Sequence, residues 1–274
     1  MRAPIHTLSS MLQAARARPR FTAWSVIAVL AALVAWSSPV SPLAVGQADV
    51  LYGRGRPYDA LQAYDRIGQW NPWPSLRLTA DERAATIAAV DLDDPRLSRT
   101  FLERILAEDS ASGSVKASAW ERVGYVAWTT EQHAEEAAGA FQMAYKLDMM
   151  APEAERRLIA AARARTDAGD LAPALQAWER VAEHIPASRG LARVNQASLL
   201  LAEGEVQDAL SAYDQAAAAT NDPTLIQVAK MGAATCKERL GEVEGALEAL
   251  DQAHLPSSVA TERQRRLEER KPGK

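Results

Sequence analysis

The chain has 274 residues, with 31 lysines and arginines against 35 aspartates and glutamates, and a formal net charge of −4. Hydrophobic residues make up 48% and charged residues 24%, the balance of a folded body, which excludes wholesale disorder. A single cysteine, Cys236, excludes an intramolecular disulfide, argues against a cysteine zinc site and leaves no cysteine near the N-terminus for lipid attachment.

Residues 1–20 are a basic tail, carrying Arg2, Arg16, Arg18 and Arg20 and no acid. The last fourteen residues hold six bases against three acids, which leaves residues 21–260 at −11. A body that acidic repels nucleic acid, because phosphate neutralisation supplies most of that affinity, so no nucleic-acid partner is expected.

From Phe21 to Trp36 the chain runs sixteen residues without a charge, and the uncharged stretch continues through Val45. About 25 such residues suffice for one bilayer crossing, and residues 21–42 are read as a transmembrane anchor. Trp24 and Trp36 stand near the ends of the apolar core, where indoles prefer the headgroup region. Arg16, Arg18 and Arg20 place the preceding flank in the cytoplasm, and hence the remaining chain in a bacterial periplasm. The rival readings are a cleaved signal peptide, with Gly46-Gln-Ala48 as a weak cut site, and an organelle presequence.

Beyond the anchor the sequence repeats itself. Gly169…Ala174-Leu…Trp178, Gly204…Ala209-Leu…Tyr213 and Gly241…Ala246-Leu…Leu250 share one pattern, and Gly55…Ala60-Leu…Tyr64 repeats it upstream. Ala137…Phe141…Ala144, preceded by Trp120-x2-Val123-Gly124, makes a fifth copy. A sixth around Phe101 lacks both the glycine and the alanine. The pattern resembles the tetratricopeptide repeat family over residues 43–256, weakly across 74–116. The resemblance implies an all-α solenoid of five to six helix-turn-helix repeats behind the N-terminal transmembrane helix. Glycine stands at each turn, alanine where the helices approach, and the aromatic beside the next pair. Residues 257–274 are left for a capping helix and polar tail, with Thr261–Arg270 closing the last apolar face.

Chemistry is sparse. His6, His133, His184 and His254 are scattered, with no H-E-x-x-H, no carboxylate partner at ligand spacing and no nucleotide-binding glycine loop. No catalytic, metal or cofactor site is expected, and Cys236 reads as a small buried residue. Arg54-Gly55-Arg56-Pro57 has the core of an AT-hook, but its glycine is also the turn glycine of the first repeat. Trp70 and Trp73, between prolines, are expected to fill the gap beside the divergent second repeat, with a docking role as the rival.

In the family the first helix of each pair faces the binding groove. That register places Glu121, Arg122, Tyr125 and Trp128 on the groove, then Arg156 and Ile159, then Val194, Asn195 and Ser198, then Met231 and Thr235. Val194 and Ser198 stand where some members hold polar groups that clamp a C-terminal carboxylate, which argues against such a clamp here. The expected function is a non-enzymatic, membrane-anchored scaffold for protein or peptide partners. Its layout is similar to that of the ancillary subunit of the bacterial secretion translocon. The alternatives are a cleaved periplasmic repeat protein, an assembly factor for cytochrome c or lipopolysaccharide, and an enzyme with a dispersed site.

Overall fold

The computed structural model describes residues 38–253 and Arg265. The basic tail, the expected anchor up to residue 37 and the expected capping segment apart from Arg265 lie outside the described residues. Residues 38–42, expected to end the anchor, form turns, and Ala44 and Val45 are buried in the first helix. No helix among the described residues is long and apolar enough to cross a membrane.

The chain divides into two compact blocks, one to Ser112 and one from Gly113. The first holds α1 (Ala44–Gly53), α2 (Pro57–Trp70), α3 (Pro74–Val90) and α4 (Pro95–Ala107). The second holds α5 (Gly113–Thr129), α6 (Ala134–Leu147), α7 (Ala154–Asp167) and α8 (Leu171–His184). It continues through α9 (Arg189–Glu203), α10 (Val206–Ala218), α11 (Pro223–Arg239) and α12 (Val243–Gln252). Prolines at the first turns of α2, α3, α4 and α11 start these helices where no N–H is required. Asp94 and Asp222 cap α4 and α11 by accepting from the N–H groups of Leu97 and Thr224.

The helices pair in sequence as six repeats, and the turn inside each pair shows why the pattern is legible in some and faint in others. Gly55, Gly169, Gly204 and Gly241 all have positive φ, between 71° and 89°. At Gly204 the glycine N–H reaches back to Leu201 and the next N–H to Leu200, five residues earlier, the Schellman closure of a helix end. Gly55 and Gly241 close α1 and α11 in the same way. The two remaining turns lack glycine. There Asp93 (φ 51°) and Gln132 (φ 58°) take the left-handed position, and the return bonds Asp94 to Ala88 and His133 to Ala127 span six residues. One extra turn residue therefore shifts these repeats out of the sequence pattern. Residues 74–107, faint in the sequence, form a helix pair.

Counted from the left-handed residue, one register then fits all six pairs. The close-approach position holds Ala60, Ser98, Ala137, Ala174, Ala209 and Ala246, all buried. Four residues on stand Tyr64, Leu102, Phe141, Trp178, Tyr213 and Leu250, also buried. Phe101 is thus not the repeat aromatic of the second pair; Leu102 is. Ser98 replaces alanine without an orphaned hydroxyl, because its Oγ donates to the Ala85 carbonyl at 2.7 Å. In α5, a Cβ on Gly124 would meet the Phe141 ring at 2.9 Å, so glycine sets the approach of α5 to α6.

One buried charge makes the first block sensitive to pH. Asp81 on α3 is buried and meets Arg104 of α4, which also holds Asp65 of α2 at 2.7 Å. Burial pushes the Asp81 carboxyl up to about 6, against the pull of Arg104. A folded pKa above the ordinary value means the stabilising contribution is complete at low pH and is lost as pH rises through about 6. Considering this group alone, α2–α4 should gain about 1 kcal/mol on going from pH 7 to pH 5. Hydrogen exchange in α3 should record the gain, and Asp81→Asn should flatten it.

Candidate functional site

In the second block the first helices of successive repeats are bonded side to side in two pairs, α5 to α7 and α9 to α11. Glu121 of α5 is buried and accepts from two arginines of α7, Arg156 at 2.5 Å and Arg157 at 2.8 Å. Trp128 of α5 donates its indole N–H to Asp167 of α7 at 2.8 Å. Arg239 of α11 donates to the Leu201 carbonyl of α9 at 3.1 Å. These bonds fix the row of helices whose outward residues the sequence assigns to partner binding.

The side chains expected there fall into three groups. Tyr125 is exposed and stands edge-on to Phe141, with ring centres 4.9 Å apart. Arg156 and Ser198 are also exposed, and Arg122 is half-buried. Ile159, Asn195, Met231 and Thr235 are half-buried. Asn195 and Thr235 bond back to the carbonyls of Leu191 and Met231, one turn earlier. Ser198 donates to the Val194 carbonyl and lies 3.0 Å from the Tyr213 hydroxyl. Val194 and Glu121 are buried and contribute no free surface. Trp128 is half-buried, edge-on to Phe141 and bonded to Asp167, which makes it a joint between α5 and α7.

The exposed stripe of α7 contains a residue the sequence reading omits. Arg163 lies seven residues after Arg156 and is exposed, with no ion pair or hydrogen bond of its side chain among the described residues. Arg157, by contrast, is 3% exposed and has a buried Nη1 without a hydrogen-bond partner.

The other sequence expectations resolve as follows. Trp70 and Trp73 do not fill the gap beside the second repeat; they are 68% and 44% exposed. Asn71 between them is the buried residue, donating to the carbonyls of Pro39 and Ser41 and accepting from the Trp73 N–H. Asn71→Ala should cost about 1–3 kcal/mol by orphaning those groups, whereas Trp70→Ala should stay within about 0.5 kcal/mol in the same denaturation experiment. The Arg54–Pro57 segment is a turn: Gly55 is left-handed, Arg56 pairs with Asp59 at 2.6 Å, and Pro57 opens α2. Cys236 is buried beside Tyr213, and burial pushes its thiol above the usual range, which disfavours the reactive thiolate.

His133 does have carboxylate neighbours, contrary to the sequence reading. Its ring and the carboxylates of Glu131 and Glu136 place ligand-type atoms within 4.8 Å of one another at the start of α6. Glu131 is half-buried and Glu136 exposed, and His133 Nδ1 stands 3.6 Å from Glu136, the geometry of a surface ion pair once the ring is protonated. A cleft of about 200 Å³ opens between α6, α7 and α8, with Ala138, Leu158 and Ala161 on its walls and Arg165 and Arg180 among its polar groups.

No protein-family model matches the chain, and no curated protein matches it. Solved structures do. A chain of the Naa15/Naa10 complex bound to HypK-THB superimposes with a TM-score of 0.52 at 18% identity, over 82% of this chain and 33% of its own. The C-terminal part of a TPR repeat-containing protein from Cytophaga hutchinsonii gives 0.50 at 14% identity, covering 76% and 77%. YrrB, a TPR protein with an unusual peptide-binding site, gives 0.49 at 21% identity, covering 68% and 91%. The fold is therefore that of a tetratricopeptide-like helical repeat, and these likenesses establish nothing further.

Proposed function

We infer that this protein is a scaffold that binds protein segments along the row of first helices in the second block, held to a membrane by the uncharged run that begins at Phe21 and ends before the turns at residues 38–42. The observation that carries the reading is the outward stripe of α5 and α7. It leaves Tyr125, Arg156 and Arg163 at the surface, while the repeat aromatics are spent on packing. Aromatic and arginine side chains on a rigid support are what binding hot spots are made of. The Naa15/Naa10 structure, with a similar fold, is of a complex bound to a further chain, which accords with an interaction role. Anchoring rests on the uncharged run from Phe21 and the arginines before it, and it places the repeats on the periplasmic side.

Three measurements test the two halves of this reading. A reporter fused after Lys274 should be active only outside the cytoplasm, and activity of a cytoplasm-only reporter there would overturn the orientation. N-terminal sequencing of the mature chain separates a retained anchor from a cleaved peptide. Partner capture from solubilised membranes should fall in Tyr125→Ala and Arg163→Ala at unchanged melting temperature. In Trp128→Ala the melting temperature should fall instead, because that indole joins α5 to α7. Equal capture by all three folded variants would remove the stripe as the binding surface.

A further inference from the structure

Trp70 and Trp73 take no part in the core of the first block, yet their place in it is fixed. Asn71, buried between them, donates to the carbonyls of Pro39 at 2.8 Å and Ser41 at 3.3 Å, and accepts from the Trp73 N–H at 3.0 Å. Arg77 closes the turn from the other side, donating to the Asn71 carbonyl at 2.9 Å. The turn between α2 and α3 is thereby held against residues 39–41, a few residues beyond Trp36. Around these bonds Val40, Pro42, Leu43, Trp70, Pro72 and Trp73 are all exposed. No charged residue stands between Arg20 and Asp49, or between Arg66 and Arg77. The flanking charges are mixed in sign: Arg66 before Trp70, and Arg77 bound to Glu108, beside Asp109, after Trp73. Charge therefore does not select what this end meets; its apolar surface does. The opposite end of the α2–α3 pair is different in kind. Tyr58 and Val90 are exposed there, about 18 and 25 Å from the tryptophans along their helices. They stand among Arg54, Arg56, Asp91, Asp93 and Asp94, all exposed. The pair has one charged end and one aromatic end.

We propose that the aromatic end of the first block lies in the headgroup region of the bilayer, with Trp70 and Trp73 inserted as interfacial anchors and lipid as their partner. The proposal rests on the anchored reading above and adds how the first repeats stand on the membrane. The apolar core of the expected anchor ends at Trp36, which that reading places at the bilayer surface. Pro39 follows three residues later, and three residues span at most about 11 Å. Asn71 is bonded to Pro39, so the two tryptophans stay close to the headgroups for as long as the anchor is in place. Indoles favour that layer because the ring is apolar while the N–H still meets water or a headgroup. A lipid partner accounts for a tryptophan whose removal is expected to leave folding almost unchanged. A protein partner would leave unexplained why the exposed indoles are pinned to the residues that follow the anchor.

The test uses the full chain in phosphatidylcholine vesicles, with a nitroxide attached in turn at Trp70→Cys, Trp73→Cys, Tyr58→Cys and Val90→Cys. The unsubstituted chain, whose Cys236 is buried, gives the background. Relaxation by oxygen, which concentrates in lipid, and by a water-soluble nickel chelate reports what surrounds each label. The oxygen-to-nickel ratio should be several-fold higher at positions 70 and 73 than at 58 and 90, at low and high salt alike, because the contact is not electrostatic. In a chain carrying Trp70→Glu and Trp73→Glu, a label at Leu43→Cys should become several-fold more accessible to the nickel chelate. Unchanged accessibility there would show that the indoles do not hold the first block down, and would overturn the proposal. Equal ratios at all four sites, in a chain that the vesicles retain through alkaline washing, would overturn it and leave the anchor standing. Exclusion of both reagents at 70 and 73 would also overturn it, as the sign of a covering protein surface, from a partner or from this chain itself. A chain that the vesicles do not retain would remove the anchor and this proposal together.

Discussion

Replacing Trp178 by alanine should destabilise the second block by about 3–5 kcal/mol, the range for deleting a fully buried aromatic. Trp178 is completely enclosed at the repeat-aromatic position of α8. It packs with Leu158 of α7, with Val181 and Ala182 of its own helix, and with Ala192 of α9, so one side chain joins two repeats. Its indole N–H donates to Thr166 Oγ1 at 2.9 Å, and Thr166 also donates to the Ala162 carbonyl, so the hydroxyl keeps a partner when the indole is gone. The loss should therefore come from the cavity. Trp178→Phe, which refills most of that volume, should restore at least half of it in chemical denaturation. A small loss in Trp178→Ala would mean that α7 and α9 collapse into the gap.

The legible part of this fold is the part that recurs at a constant offset. Gly55, Gly204 and Gly241 mark turns because the Schellman closure admits glycine at one fixed place after the helix, and Ala209 or Trp178 follow at set distances. The turns at Asp93 and Gln132 carry one extra residue and no glycine, so the same register was hidden, and Phe101 stood in for Leu102. The polar ties were hidden for another reason, since each joins residues about one repeat length apart. Tyr52–Asp91, Asp65–Arg104 and Trp128–Asp167 are separated by 39 residues, and Glu121–Arg156 by 35. In sequence such residues look like unrelated surface groups. Aligning the repeats by their turns, and then reading charges down the columns, exposes them. The same step would have revealed that Glu121 is buried and that Arg163 stands exposed on α7.

Ala209→Trp should be the most disruptive single change outside the aromatics, and its effect should travel. Ala209 is fully buried where α10 meets α9, in a cluster with Ala197 of α9, Tyr213 of its own helix, and Ala229, Ala233 and Cys236 of α11. Ala209 is completely enclosed, so an indole has no void to enter and must separate the helices. Overpacking of this kind costs about 1–3 kcal/mol when the core can adjust, and more when backbones must part. Stability in repeat arrays is carried by interfaces between neighbours, so loosening α9 and α10 should weaken the pairs on either side. Hydrogen exchange should therefore accelerate in α8 and α11 as well as in α9 and α10. It should be little changed in α5, which is separated from the site by α6 and the α7–α8 pair. Protection unchanged in α8 and α11 would mean that each pair is stable by itself. The cluster running through Ala197, Ala209 and Ala229 would then not be what couples the repeats.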